Sequence, residues 1–460
     1  MRKLVLFIMV AVLCSSCHIY KAYERPEIEV QGLFRDMLSA ADTLVAADTL
    51  SIGNLPWREV FRDTCLQRLI EQGLTGNIDL RVAQLRVEQA EALLLSSKLS
   101  YLPSVSLNPE GTLSHPDGRS VTRSYQLPVT ANWEVDLFGN LLNAKRGAKA
   151  ALLQSDAYRQ AVQTQLIASI ANSYYTLQML DRQQAICEET ASNWEQSVIT
   201  MKALKAAALT NEAAVTQSEA GYYQVRATLP ELRRQIREVE NALSVVLGQT
   251  PQVTVRAPWR VFEWPEQLST GVPVRLLANR PDVKEAEMAL ASAYYATNSA
   301  RSAFYPRLTI SGSAGWTNSA GAAIVNPAQF LVTAIGSLVQ PLFNKGTNVA
   351  NLKIAKAQQE EALLSFRQSL LQAGREVSDA LYQFHSSGEK SEERSRQITA
   401  LENSVEYTQA LMRLGTSTYL EVLTAQQGLL SARLTQVADQ FEQLQAVINL
   451  YQALGGGKEE

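Results

Sequence analysis

Apolar residues recur along this chain with two different periods, every second position in short stretches and every third or fourth position in long ones. Tyr125, Leu127, Val129, Ala131, Trp133, Val135 and Leu137 alternate with Gln126, Pro128, Thr130, Asn132, Glu134 and Asp136. This predicts a strand with one apolar and one polar face. Just upstream, Val105, Leu107, Pro109, Gly111 and Leu113 alternate with Ser104, Ser106, Asn108, Glu110 and Thr112. In the second half, Leu308, Ile310, Gly312, Ala314 and Trp316 oppose Arg307, Thr309, Ser311, Ser313 and Thr317. Phe330 to Val339 alternates poorly and is read as a strand mainly because an internal repeat demands one.

The longer period predicts helices. Leu430, Leu434, Val437, Phe441, Leu444, Ile448 and Tyr451 form a coiled-coil seam. Tyr222, Val225, Leu229, Leu232, Ile236, Val239, Leu243 and Val246 form another, with Pro230 inside it predicting a kink or interruption. From Asn140 to about Ala208 the chain is almost free of Gly and Pro and reads as one helix, about 65 residues and roughly 100 Å long. Asn348 to about Leu414 has the same character, with Ser386-Ser387-Gly388 marking a bend.

The repeat is direct. Asp79-Leu80, Ala83, Ala90 and Tyr101-Leu102-Pro103 match Asp282-Val283, Ala286, Ala293 and Phe304-Tyr305-Pro306 without a gap, at 306 − 103 = 203 residues. Leu137-Phe138-Gly139 matches Leu342-Phe343-Asn344 at 343 − 138 = 205, and Val215-Thr216 matches Leu423-Thr424 at 424 − 216 = 208. Each half then runs helix, strand, strand, long helix, turn, helix. The expected boundaries are a signal peptide over 1–16, an extended lipidated segment over 17–62, repeat 1 over 63–260 with strands at about 103–115 and 122–138, and repeat 2 over 261–460 with strands at about 306–318 and 328–342.

Composition changes the picture little. With 42 basic against 45 acidic residues, no Lys/Arg excess suggests nucleic acid. The N-terminus says more. Met1-Arg2-Lys3 and the apolar run Leu4 to Leu13 form an export signal too short to span a bilayer. Cys14-Ser15-Ser16-Cys17 follows and resembles a bacterial lipoprotein processing site, which makes Cys17 the lipidated first residue. The alternative is ordinary cleavage with Cys17 free. Cys65 and Cys187 are expected to be unpaired. The three histidines, His18, His115 and His385, sit in no metal-ligand spacing, and no nucleotide or hydrolase motif is present. The reading is a non-enzyme with no cofactor and no metal site.

Strands of about nine to eleven alternating residues suffice to cross a membrane, provided that they close into a barrel. Four strands cannot close, so other copies must complete the ring. Two copies give eight strands whose bore side chains fill; three give twelve, with room for water. Tyr125, Trp133 and Trp316 are candidate interfacial aromatics. Taken alone, such strands also suit a soluble sheet, and the heptads also suit a coiled-coil lipoprotein that merely tethers the envelope.

A resemblance decides among these. Pro56-Trp57-Arg58-Glu59-Val60-Phe61, Asn77-Ile78-Asp79-Leu80, Trp133-Glu134-Val135-Asp136-Leu137-Phe138-Gly139, Arg280-Pro281-Asp282-Val283 and Gln340-Pro341-Leu342-Phe343-Asn344-Lys345-Gly346 resemble the phrases of TolC-family efflux lipoproteins, in order, over nearly the whole mature chain. The resemblance implies a mostly α fold with transmembrane β: a homotrimer whose twelve-stranded outer-membrane β-barrel continues into a twelve-helix periplasmic α-barrel. It implies a passive exit duct for small molecules, docked to a periplasmic adaptor and an inner-membrane transporter of the resistance-nodulation-division type, with outer-membrane lipid around the barrel. Export of protein or metal ions is the alternative cargo.

The same resemblance locates the entrance at the turns near Lys205 to Asn211 and Leu414 to Thr418, where Gly415 permits tight reversal and Glu421 matches an acidic tunnel-lining position. The best-known member's gating Tyr, Arg and Asp are replaced here by Met412, Ser417 and Thr424, leaving Arg413 with Glu421 as a substitute pair.

Overall fold

The computed structural model describes residues 20–27, 53, 55–115, 117, 121–260, 280–317 and 329–457. The signal peptide, Cys17 and His18 lie outside them. Among the described residues the elements are α1 (Trp57–Val60), α2 (Thr64–Gly76), α3 (Ile78–Leu99), β1 (Ser104–Leu107), β2 (Glu110–Ser114), β3 (Thr122–Val135), α4 (Asn140–Ala206), α5 (Glu212–Val246), α6 (Pro281–Ser302), β4 (Arg307–Thr317), β5 (Gln329–Val339), α7 (Thr347–Arg413) and α8 (Tyr419–Ala453).

Local chemistry sets most of these boundaries. Asp63 caps α2 by accepting from the Cys65 amide at 2.8 Å, and Asn77 starts α3 by accepting from the Leu80 amide at 2.8 Å. Part of the segment expected to be extended up to residue 62 is helical, since α1 lies within it. Both helices run without interruption through the residues expected to perturb them. Pro230 lies inside the continuous α5 on an exposed flank, where water can serve the carbonyl that loses its amide partner. At Ser386-Ser387-Gly388, α7 is continuous and both hydroxyls turn back onto the Gln383 carbonyl, Ser387 at 2.6 Å, a pattern that favours a local bend without ending the helix. Gly388 leaves room for Gln443 of α8, whose Nε2 would lie 3.4 Å from an added Cβ.

The strands form one antiparallel sheet ordered β1-β3-β4-β5, with β2 also on β3. The first strand is therefore two pieces in a single register: Leu107 pairs with Val129 and Glu110 with Gln126. The gap falls at Asn108-Pro109 opposite Leu127-Pro128, where two prolines cannot donate to the ladder.

The chain divides into two compact units. One holds the sheet, α6, residues 20–27 and the flanking helix portions up to Ala157 and Ser369. Here Arg25 lies over the Phe366 ring at 5.4 Å, and the Tyr23 amide donates to the Tyr295 hydroxyl at 3.1 Å. The other unit packs the remainder of α4, α5, α7 and α8 with α2. Tyr174, Tyr451, Ile167, Ile170, Leu177 and Ile448 are fully buried in it. The Tyr174 hydroxyl donates to Asp63 at 2.6 Å, and the Tyr451 hydroxyl to the Leu55 carbonyl at 3.1 Å while accepting from the Gly457 amide at 2.7 Å. Burial pushes the Tyr451 phenol up to about 12. Among the described residues, Cys65 and the buried Cys187 are not disulfide-bonded.

The repeat is present in three dimensions with two constant offsets. The helices α3 and α6 each have 22 residues and start 281 − 78 = 203 apart. The helices α4 and α7 each have 67 residues and start 347 − 140 = 207 apart. Hydrogen bonds obey the same offsets even where side chains differ. Asn77 Nδ2 donates to the carbonyl of Val246 at 2.8 Å, and Arg280 Nη1 to that of Ala453 at 2.9 Å. Here 280 − 77 = 203 and 453 − 246 = 207.

Candidate functional site: the sheet and the hairpin turns

Register sorts the sheet into two chemically distinct faces. Paired residues share a face, so Leu127, Trp316 and Phe330 form one row, Val129, Ala314 and Val332 the next, and Trp133, Ile310 and Gly336 another. With Val105, Leu107 and Leu113 on the same side, this face is almost wholly apolar. Val332, at 65% exposed, and its neighbours point into open space instead of a protein core. The opposite face carries Ser106, Thr130, Ser313 and Thr333. Their hydroxyls pair laterally, Ser106 with Thr130 at 2.7 Å and Ser313 with Thr333 at 2.5 Å. The poor alternation of β5 has a physical source: Leu331, Ile335 and Val339 place apolar side chains on this hydroxyl-bearing face.

The three aromatics singled out from the sequence all lie on the apolar face. Tyr125 pairs with Gly111, and Trp316 meets Phe330 with ring centroids 5.5 Å apart. Trp133 lies eight residues along β3 from Tyr125, about 27 Å at strand rise, and its indole donates to the Tyr101 carbonyl at 2.9 Å. Aromatics thus stand at both ends of an apolar band. The outer edges of β5 and of β1–β2 have no strand partner among the described residues.

The two hairpin turns are built alike. In the first, Ala208 adopts φ 58° while the Leu209 amide donates to the Leu204 carbonyl at 2.9 Å. In the second, Gly415 adopts φ 77° while the Thr416 amide donates to the Leu411 carbonyl at 3.0 Å. The left-handed residue suits glycine and strains alanine. We therefore expect Ala208→Gly to stabilise the first turn and Gly415→Ala to destabilise the second, each by about 1 kcal/mol, measured as opposite shifts in thermal unfolding.

Charge differs between the turns. The first is bridged by Lys205 to Glu212 and by Lys202 to Glu219, the latter at 2.7 Å. In the second, Glu421 accepts from Ser417 and from Thr418 Oγ1, the latter at 3.3 Å, at the start of α8. Arg413 ends α7 exposed, and within the protomer it is not brought to Glu421. The substitute pair suggested by the sequence is therefore absent within one copy; the helix-start hydroxyls are nearer and take the carboxylate instead.

Sequence reasoning missed Tyr419. Its ring is buried in a cluster with Trp194, Met201, Val215 and Leu423, tying the second hairpin to the first just behind the turns. Burial pushes its phenol above the ordinary range. An aromatic directly after a turn, in phase with Leu423 at i+4, was the available signal. It also missed Arg256, which donates to Asp181 at 2.5 and 2.8 Å and to Glu240 at 2.6 Å.

Paired long helical hairpins and a sheet with one apolar and one hydroxyl-bearing face define the fold class: mostly α, with antiparallel strand pairs set between long helices. The model of the family described as outer membrane efflux protein matches residues 69–249 and 272–456, and the chain belongs to that family. The cation efflux system protein CusC of Escherichia coli K12 is 29% identical over 97% of this chain and 98% of its own length. A crystal structure of CusC has a TM-score of 0.85 over 96% of this chain and all of that one, at 26% identity. The probable outer membrane lipoprotein SilC of Salmonella typhimurium is 27% identical over 99% of this chain and 98% of its own length. The antibiotic efflux pump outer membrane protein ArpC of Pseudomonas putida is 27% identical over 99% of this chain and 96% of its own.

Proposed function

We propose that three copies close their sheets into a twelve-stranded outer-membrane barrel that continues into a helical periplasmic tunnel, forming the passive exit duct of a tripartite efflux pump. The observation that carries this reading is the two-faced sheet whose outer edges have no strand partner among the described residues. Bare strand edges are untenable in hydrocarbon, where each unpaired amide or carbonyl costs several kcal/mol, so closure by further copies is the available solution. The apolar face, banded by Tyr125 and Trp316 at one end and Trp133 at the other, suits lipid. The hydroxyl face suits water. Cys17 anchors the chain through lipid, a reading that the description of SilC as a lipoprotein favours. An adaptor grips the hairpin turns, and an inner-membrane transporter supplies energy and selects cargo.

Relatives divide over cargo, with cations named for CusC and antibiotics for ArpC. We assign this duct to small molecules, with metal-ion or protein export as the alternative. The test is reconstitution in planar bilayers. The intact protein is expected to give water-filled channels and to run as an oligomer that dissociates to monomer only on heating. A monodisperse monomer without conductance would overturn the reading.

At the periplasmic end, three Glu421 carboxylates around one axis favour cations. Glu421→Gln is expected to lower cation over anion permeability while leaving the oligomer intact. Unchanged reversal potentials would remove Glu421 from the entrance.

A further inference from the structure

The internal repeat supplies a template for the strand pairing that a single copy leaves open. In each half, the strand hairpin has the same register once the two offsets are applied. Leu107 pairs with Val129, and Ile310 with Gly336, where 310 − 107 = 203 and 336 − 129 = 207. The carbonyl ahead of each hairpin is capped at the same offsets: Trp133 Nε1 donates to Tyr101 and Gln340 Nε2 to Phe304, both at 2.9 Å, with 340 − 133 = 207 and 304 − 101 = 203. Gly139 and Gly346, both left-handed at φ 70° and 80°, precede the long helices at 346 − 139 = 207.

Between the two hairpins of one copy, β3 pairs with β4, including Val129 with Ala314 and Gln126 with Thr317. Moving β3 forward by 207 gives β5, and moving β4 back by 203 gives β1–β2. We propose that β5 of one copy joins the β1–β2 edge of the next in the register that β3 uses on β4, so that Gly336 faces Gly111 and Thr333 faces Ser114 across the seam. This rests on the proposed ring of identical copies and adds its atomic register. A second copy is the occupant because the molecule already makes this junction once, between its own halves.

The seam also accounts for side chains left bare in one copy. Val135 pairs with Leu308 and is partly covered. Its counterpart at 135 + 207 is Leu342, which is 93% exposed. In the proposed register Val105 of the neighbouring copy covers Leu342 as Leu308 covers Val135. A different alignment, matching Leu137-Phe138 to Leu342-Phe343 at 205, slides the seam by two residues and sets Gly336 opposite Pro109. The hydrogen bonds favour 207.

Two glycines across the seam make the test clean, since a Cβ added at Gly111 or at Gly336 meets nothing within 4 Å. Directly paired strands hold their Cα atoms about 4.5–5.5 Å apart, within disulfide reach. In the full lipidated chain carrying Cys65→Ser, the double variant Gly111→Cys, Gly336→Cys is extracted in mild detergent after oxidation. Most of the protein is expected as a covalent trimer that a reducing agent returns to monomer, with each single variant staying uncrosslinked. Thr333→Cys with Ser114→Cys reads the same register from the water face, should the first pair assemble poorly. Crosslinking of Gly336→Cys with Pro109→Cys in place of Gly111→Cys would overturn the register. An intact oligomer crosslinked by none of these pairs would overturn the seam while sparing the ring, and a monomer by mass would overturn both.

Discussion

Replacing Arg256 by alanine is expected to lower stability by about 3–5 kcal/mol. Its side chain is 13% exposed, and its guanidinium holds Asp181 bidentately, Glu240 at 2.6 Å and the Thr254 carbonyl at 2.9 Å. The two carboxylates stand differently. Asp181, at 41% exposed, is left to water when the arginine goes, so that half of the network contributes little. Glu240, at 10% exposed, is left as a buried charge whose other contact is the Thr254 amide at 3.4 Å. The cost comes from that stranded carboxylate more than from the lost attraction. Thermal unfolding followed by helix ellipticity should therefore show Arg256→Ala as severe and Asp181→Asn as mild. Glu240→Gln placed in the Arg256→Ala background should recover most of the loss. A double variant no more stable than Arg256→Ala alone would assign the effect to packing of the arginine stem instead.

What the sequence reveals and hides here follows from the range of the interactions. The repeat is legible because a gapless stretch from Asp79 to Leu107 preserves residue types that pack alike in both halves. The two faces of β3 are legible because each of its residues answers to one environment or the other. Strand β5 is not, since Leu331, Ile335 and Val339 lie on the hydroxyl face and remove the period. Residues that disfavour a helix need not end it: α5 runs on through Pro230 on a solvent-exposed flank, and α7 through Ser387. Long-range polar partners are the least visible. Asn77 and Arg280 perform one task on the carbonyls of Val246 and Ala453, yet the two residue types share only a donor group. Glu421 shows the reverse: its sequence neighbours Ser417 and Thr418 take the carboxylate, whereas opposite charge alone points to Arg413, farther along the chain.

Adjacent residues on β3 should respond to the same substitution in opposite ways. Val129 lies on the apolar face, four residues from Tyr125 and four from Trp133, hence at the middle of the aromatic-bounded band. Thr130 lies on the hydroxyl face, bonded to Ser106. If the apolar face meets lipid, a lysine at 129 sits at the bilayer midplane at a cost of about 2–4 kcal/mol in each copy. Its side chain also starts about 13 Å from either interface, too far to carry the ammonium out to water. Val129→Lys is thus expected to lose the heat-modifiable oligomer and its place in the outer-membrane fraction. Thr130→Lys forfeits one hydroxyl pair and puts its ammonium into the bore. It should assemble normally and shift reversal potentials towards anions, because three added positive charges then face the permeating ions. Had the sheet been the face of a soluble core instead, the lysine at 129 would unfold the protein and the one at 130 would leave conductance untouched. Equal behaviour of the two variants in both assays would reject the assignment of faces on which the barrel depends.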